Sequence, residues 1–413
     1  MAQSRYKAIW LRLASDPRTT ASDLVELSWG YLEEEVNSRI AMHPNTPGYI
    51  LAEFAEDTLR DSVRLAVASN PNTPPVAIAM LASDRMSEVR VAVAGRPDVP
   101  RDLLLELVKD RDNGVRYAAA KNSAMPSEWL RDLALSKSRS VRNGVAANPK
   151  TSPDTLSELA SDPSEAVRVA VGKNPHTPPE VLSALADNDL DSRVCRSAIR
   201  NPQLPVVRLH SLADHGDPDV RSWVAENPST LPHDLARLAA DQSPFVRVGV
   251  ARHPNTPSDC LAVLAEDTYG GVQQGVAENP STPAKILLGI GTSSAIHTAR
   301  RSALAHPSLS VADLANLAED PDFVVRCQVA TLVSVSGKVL NKLADDPVEA
   351  VRASAASNKR IPVGALVRLA KDRSQAVQRA VVENPQTPLE ALKYLLKTAQ
   401  GDTWEQASKR LRA

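Results

Sequence analysis

Ten arginines recur at one fixed place in the pattern of this chain: Arg64, Arg90, Arg116, Arg142, Arg168, Arg221, Arg247, Arg300, Arg326 and Arg352. A row of guanidinium groups at regular intervals can follow a phosphate backbone or an acidic peptide. The same residues support a second chemistry. Asp84, Asp110, Asp162, Asp241, Asp320 and Asp346 stand six residues before Arg90, Arg116, Arg168, Arg247, Arg326 and Arg352. Carboxylate and guanidinium at a constant separation can pair as a structural ladder, with bidentate contacts and a buried arginine stem. The ladder is the expected role, because it also accounts for a balanced charge of 48 lysines and arginines against 49 acids.

One stretch departs from this register. Cys195 stands where a ladder arginine is expected, and basic residues gather at Arg193, Arg196 and Arg200, followed by Arg208, His210 and His215. Asp187, Asp189 and Asp191 lie just upstream. Arg193, Arg196, Arg200, Arg208 and His210 are therefore candidate contacts for an acidic partner. Drift of a copy that keeps its fold is the other reading.

No reactive constellation accompanies these groups. Cys195, Cys260 and Cys327 are too widely spaced for a metal or disulfide pattern, so buried, reduced side chains are expected. The eight histidines are scattered along the repeats without metal-ligand spacing. A nucleophile elbow and a phosphate-binding glycine loop are both missing. No cofactor and no metal are expected, and catalysis would need polar groups from several repeats meeting in one pocket.

All of these residues belong to one repeating unit. Its clearest copy runs from Asp162 to Asp187, DPSEAVRVAVGKNPHTPPEVLSALAD. Anchored on the valine before the ladder position, copies start at Val36, Val63, Val89, Val115, Val141, Val167, Val194, Val220, Val246, Val272, Ala299, Val325, Val351 and Val377, always 26 or 27 residues apart. A fainter copy at Ile9 makes about fifteen. Such a period specifies stacked supersecondary units, each packing only on its neighbours.

Each copy reads as two short helices. Val167, Ala170 and Val171 share one face of the first, and Leu182 and Leu185 one face of the second. In Thr177, Pro178, Pro179 and Glu180 the threonine oxygen is expected to cap the second helix, with proline and glutamate favouring its start. Seven copies end the first helix with AsnPro, where asparagine is expected to adopt a left-handed C-terminal cap. His43, His253 and His306 take that place elsewhere and are expected to do the same.

AspxxxxValArg, AsnProxThrPro and LeuxxLeuAla at this period resemble the leucine-rich repeat variant family, a relative in shape of HEAT and armadillo repeats. The resemblance covers roughly residues 9–395. It implies an all-α, right-handed αα superhelix of two-helix repeats. The iron-sulfur module of the best-known architecture is not carried over, since no cysteine precedes Cys195. The expected division is a capping repeat at 1–35, the solenoid at 36–387 and capping helices at 388–413.

Exceptions to the repeat mark where structure or function departs. Gly289 to Arg301 replaces the usual acidic turn and is expected to add flexibility or a kink. The Val325 copy lacks AsnPro and ThrPro, so a reshaped turn is expected there. Trp10, Trp29, Tyr31, Tyr49 and Phe54 gather near the start, as caps for an exposed terminal face or as partner anchors.

Together these features point to a non-catalytic scaffold that holds a protein or peptide partner on a concave helical surface. Nucleic-acid binding or DNA repair by groove-lining arginines is the alternative. A net charge of -1 supplies no global field for nucleic acid or an anionic membrane. The opening residues lack a signal-peptide core, so a cytoplasmic location is expected.

Overall fold

The computed structural model describes residues 2–30, 33–57, 60–188 and 192–412. Among them are thirty-one α-helices and no strand. The chain divides into two compact units, Met1–Arg208 and Leu209–Ala413, each built from the same two-helix copies. None of the described helices is long and apolar enough to cross a membrane.

The first helix of a copy, here the valine helix, spans Glu165–Lys173 in the Val167 copy. The second, the leucine helix, spans Pro179–Asn188. Most are only seven to nine residues long. Helices this short are unstable alone in water, so their order comes from packing. Val167 and Val171 of the valine helix are fully buried, as is Leu182 of the leucine helix. Each such side chain contributes about 1.5 to 3 kcal/mol through apolar burial.

Successive valine helices approach closely where a small residue permits it. A Cβ added at Gly144 would lie 2.6 Å from Ala120 Cβ and 2.7 Å from the Tyr117 carbonyl of the preceding copy. The helices Asn113–Lys121 and Arg139–Ala146 are thus nearly in backbone contact.

The AsnPro signal works differently from the sequence expectation. Asn174 has φ −71° and ψ 128°, an extended conformation. No described residue other than glycine has a positive φ. A following proline disfavours helical geometry in the residue before it, but Asn122, Leu332 and Asn358 take the same extended conformation before serine, valine and lysine, so the turn itself sets it. The asparagine is instead an inter-copy clamp. Asn174 Nδ2 donates to the Ala146 and Asn148 carbonyls at 2.8 and 3.0 Å.

The clamp repeats along each unit. In the first unit Asn201 donates to Asn174, Asn148 to Asn122, and Asn122 to Arg96. Arg96 then donates to Asn70, and Asn70 to His43. His43 and His253 are likewise extended, and with His306 each sets Nε2 about 3 Å from a carbonyl of the preceding copy. In the second unit Arg410 ends the series on Val382 and Asn384.

The threonine also has another task. Thr177 Oγ1 donates to the Val171 carbonyl at 2.6 Å, tying the turn to the valine helix. Thr73, Thr151, Thr230, Thr256, Thr282 and Thr387 repeat that bond. In the Val63 copy Pro74 occupies the cap position and makes no side-chain cap bond. Proline at that place has already committed the backbone, and the threonine two residues before the helix lies beyond reach of the first-turn amides.

The irregular copies keep the common path. Leu332 replaces the asparagine with φ −69° and ψ 139°, so its turn is not reshaped; it lacks the amide clamp and, with Val335 at the threonine position, the hydroxyl bond. At 289–301 the leucine helix lengthens to Ala284–Ser293, and Gly291 packs against Leu304, whose Cδ2 would lie 2.6 Å from an added Cβ. Of the early aromatics Phe54 is buried, whereas Trp29 and Tyr49 are exposed. Tyr31 lies outside the described residues.

Candidate functional site

The ladder arginines reach forward by one copy. Arg90 Nε and Nη2 donate to Asp110 at 2.7 and 2.8 Å, while Nη1 donates to the Asp84 carbonyl at 2.7 Å. The aspartate six residues upstream therefore offers its backbone oxygen, and its carboxylate binds the arginine of the preceding copy. Arg64, Arg142, Arg221, Arg247, Arg326 and Arg352 grip Asp84, Asp162, Asp241, Asp267, Asp346 and Asp372 in the same two-pronged way. The Arg90 and Asp110 side chains retain 5% and 12% of their exposure. The Arg90 guanidinium holds the Asp110 carboxyl below the usual carboxylate range, and Asp110 in turn raises Arg90.

The ladder has irregular rungs. Arg116 meets the hydroxyl of Ser138 at 2.9 Å. Arg300 donates to the Ser294 carbonyl, with Asp322 at 3.6 Å. Arg168 donates to the Asp162 carbonyl at 2.8 Å. Asp320 accepts from the Asp322 amide and gives its carbonyl to Arg326.

The basic cluster divides between two settings. Arg196 and Arg200 line a trough of about 970 Å³ across the valine helices of the Val115, Val141, Val167 and Val194 copies. They share it with Tyr117, Lys121, Asn143 and Lys173. Lys121 Nζ lies 5.6 Å from the centre of the Tyr117 ring. Arg193 stands at the rim, ion-paired with Glu165. Arg208 lies apart and pairs with Asp187. Of the upstream acids, Asp189 and Asp191 lie outside the described residues.

Residues 244–268 match the leucine rich repeat variant family. The repeat at 244–268 is of the leucine-rich repeat variant type. A solved structure described as a leucine-rich repeat variant with a novel repetitive protein structural motif is 25% identical, over 54% of this chain and 87% of that one, with a TM-score of 0.38. Kap121p bound to Pho4p is 12% identical over 97% of this chain and 51% of that one, with a TM-score of 0.34. The chain thus spans about half the length of that karyopherin. No curated protein matches the sequence.

Within this leucine-rich repeat variant framework the trough residues occupy two register positions. Lys121, Lys173 and Arg200 all stand six residues after the anchoring valine, and Tyr117, Asn143 and Arg196 stand two after it. Reading the copies as columns would have drawn Tyr117, Lys121 and Lys173 to Arg196 and Arg200, whereas reading only the broken copy missed them.

His210 belongs to a different group. It stands on the helix Val206–Leu212, and its Nδ1 lies 2.8 Å from Asp234 Oδ1. His233 Nε2 lies 3.4 Å from the same nitrogen. Linear spacing gave no sign of a histidine cluster, because two consecutive leucine helices must stack before these side chains meet. The three thiols are half-buried, and burial pushes Cys260 and Cys327 up, keeping them protonated.

Proposed function

We propose that this chain is a non-catalytic scaffold that holds an acidic segment of a protein partner in the trough of its first unit. The reading rests on Lys121, Lys173, Arg196 and Arg200 sharing one open surface with Tyr117, in a chain whose net charge is only -1. Basic side chains from different copies meet a segment laid across the helices at successive points. Long-range attraction then steers encounter, and the tyrosine ring supplies an apolar anchor. Seven of the ten ladder arginines grip aspartates, which favours this local surface over a continuous phosphate-tracking row. Its setting is proposed to be the cytoplasm, where the three thiols stay reduced.

The test titrates a fluorescent glutamate-rich peptide and a labelled single-stranded oligonucleotide against the chain and against Arg196→Glu with Arg200→Glu. Peptide affinity is expected to fall about tenfold or more in the double variant, with circular dichroism unchanged. Intact peptide binding after charge reversal would remove the trough from the function. Preferential oligonucleotide binding with a steep inverse salt dependence would instead assign the surface to nucleic acid.

A further inference from the structure

We propose that His210, His233 and Asp234 form a binding site for a divalent transition metal, with zinc the best fit. The three residues come from consecutive leucine helices, Val206–Leu212 and Pro232–Leu238. One ligand atom from each lies within 4.8 Å of the others. His233 Nε2 is 3.4 Å from His210 Nδ1 and 3.4 Å from Asp234 Oδ2. Two ligands about 2.0 to 2.1 Å from a tetrahedral zinc stand about 3.3 to 3.4 Å apart, so both separations suit ligands of one ion. The 2.8 Å contact between His210 Nδ1 and Asp234 Oδ1 needs only a small opening, or binding through the other oxygen.

Asp234 supplies an independent observation. Its side chain is wholly buried, and Oδ2 has no hydrogen-bond donor. In five other copies the equivalent place holds a small buried residue, Ala77, Thr155, Val339, Ala365 or Ala391; the one other aspartate in that register, Asp313, is engaged by Ser310 in a capping box. A carboxylate there is costly unless a cation or donors compensate it. Arg237 Nη2 is 3.6 Å from Oδ1 but is drawn to Asp214 at 3.0 Å. A metal would satisfy Oδ2 and both imidazole nitrogens at once. Neutral imidazoles with one carboxylate form a borderline donor set suited to zinc and its neighbours rather than to calcium or magnesium. Both imidazoles are half-exposed or more, so the ion has an entry path and an outward position for water or for a partner's side chain.

The experiment strips the full chain with chelator and titrates zinc in competition with a chromophoric chelator, then cobalt with visible absorption as the readout. One ion per chain is expected. His233→Ala and Asp234→Ala should each weaken binding about tenfold to a hundredfold and abolish the cobalt spectrum, whereas His176→Ala should change neither. Asp234→Ala restores the residue type of other copies and should fold, and zinc should raise the thermal midpoint of the parent chain but not of this variant. Absence of a stoichiometric ion, or binding unaffected by both variants, would overturn the site and leave a plain hydrogen bond between His210 and Asp234.

Discussion

Asn148 Nδ2 donates to the Asn122 carbonyl at 2.9 Å, so the residue that ends one valine helix is held by its counterpart one copy later. A second bond to Ala120 at 2.8 Å and complete burial make the amide a clamp between copies. Its Oδ1 accepts from the Lys150 amide at 2.9 Å and so orders its own turn as well.

Replacing Asn148 with alanine removes both donated bonds and leaves the Ala120 carbonyl without its clamp partner, while the Asn122 carbonyl keeps the Met125 amide at 3.0 Å. The expected loss is about 2 to 3 kcal/mol, read by chemical denaturation. Because copies couple only to their neighbours, hydrogen exchange should rise around the Val115 and Val141 copies and stay unchanged in the second unit.

Arg116 shows what a missing carboxylate costs. The ladder aspartate would fall at Ser136, and Arg116 makes do with Ser138. Ser136→Asp should rebuild the rung and stabilise the chain by about 1 kcal/mol, more at low salt than at high salt. Conversely, Arg90→Ala should destabilise it by about 3 kcal/mol by leaving Asp110 buried without its cation. Asp110 is held below its ordinary value, so its contribution is present above about pH 4 and disappears as pH falls through the folded value.

Gly144→Ala and Gly289→Ala separate close packing from helix propensity. The first should force the valine helices apart and lower the melting temperature, because the neighbouring backbone cannot yield. The second places a methyl where nothing lies within 4 Å, inside a helix, and should stabilise by up to about 1 kcal/mol.

His253 is titratable where other copies have a neutral amide. Burial pushes its pKa below the ordinary 6.5, partly opposed by its bond to the Asn227 carbonyl. The unfolded chain therefore binds the proton more readily. The His253 contribution is complete above about pH 6.5 and is lost as pH falls below that value toward the folded pKa. His253→Asn should flatten the stability profile in that window, measured by denaturation at pH 7 and pH 5.

The period and the alternation of valine-rich and leucine-rich faces determined the helices by themselves, because every copy restates the same local signals. They determined the residue types of the ladder too, but not its partners. Arg90 chooses Asp110 over the carboxylate six residues before it because stacking brings the next copy's loop within reach, and sequence distance does not encode that approach. The same holds for Asn174, whose conformation was misread while its role was invisible: the turn extends its backbone whether or not a proline follows, and the carbonyls of Ala146 and Asn148 arrive only with tertiary packing. Lys121, Lys173, Arg196 and Arg200 became one surface, and His210, His233 and Asp234 one cluster, for that reason. Side chains from separate copies converge only after burial of the valines and leucines has set the distance between helices.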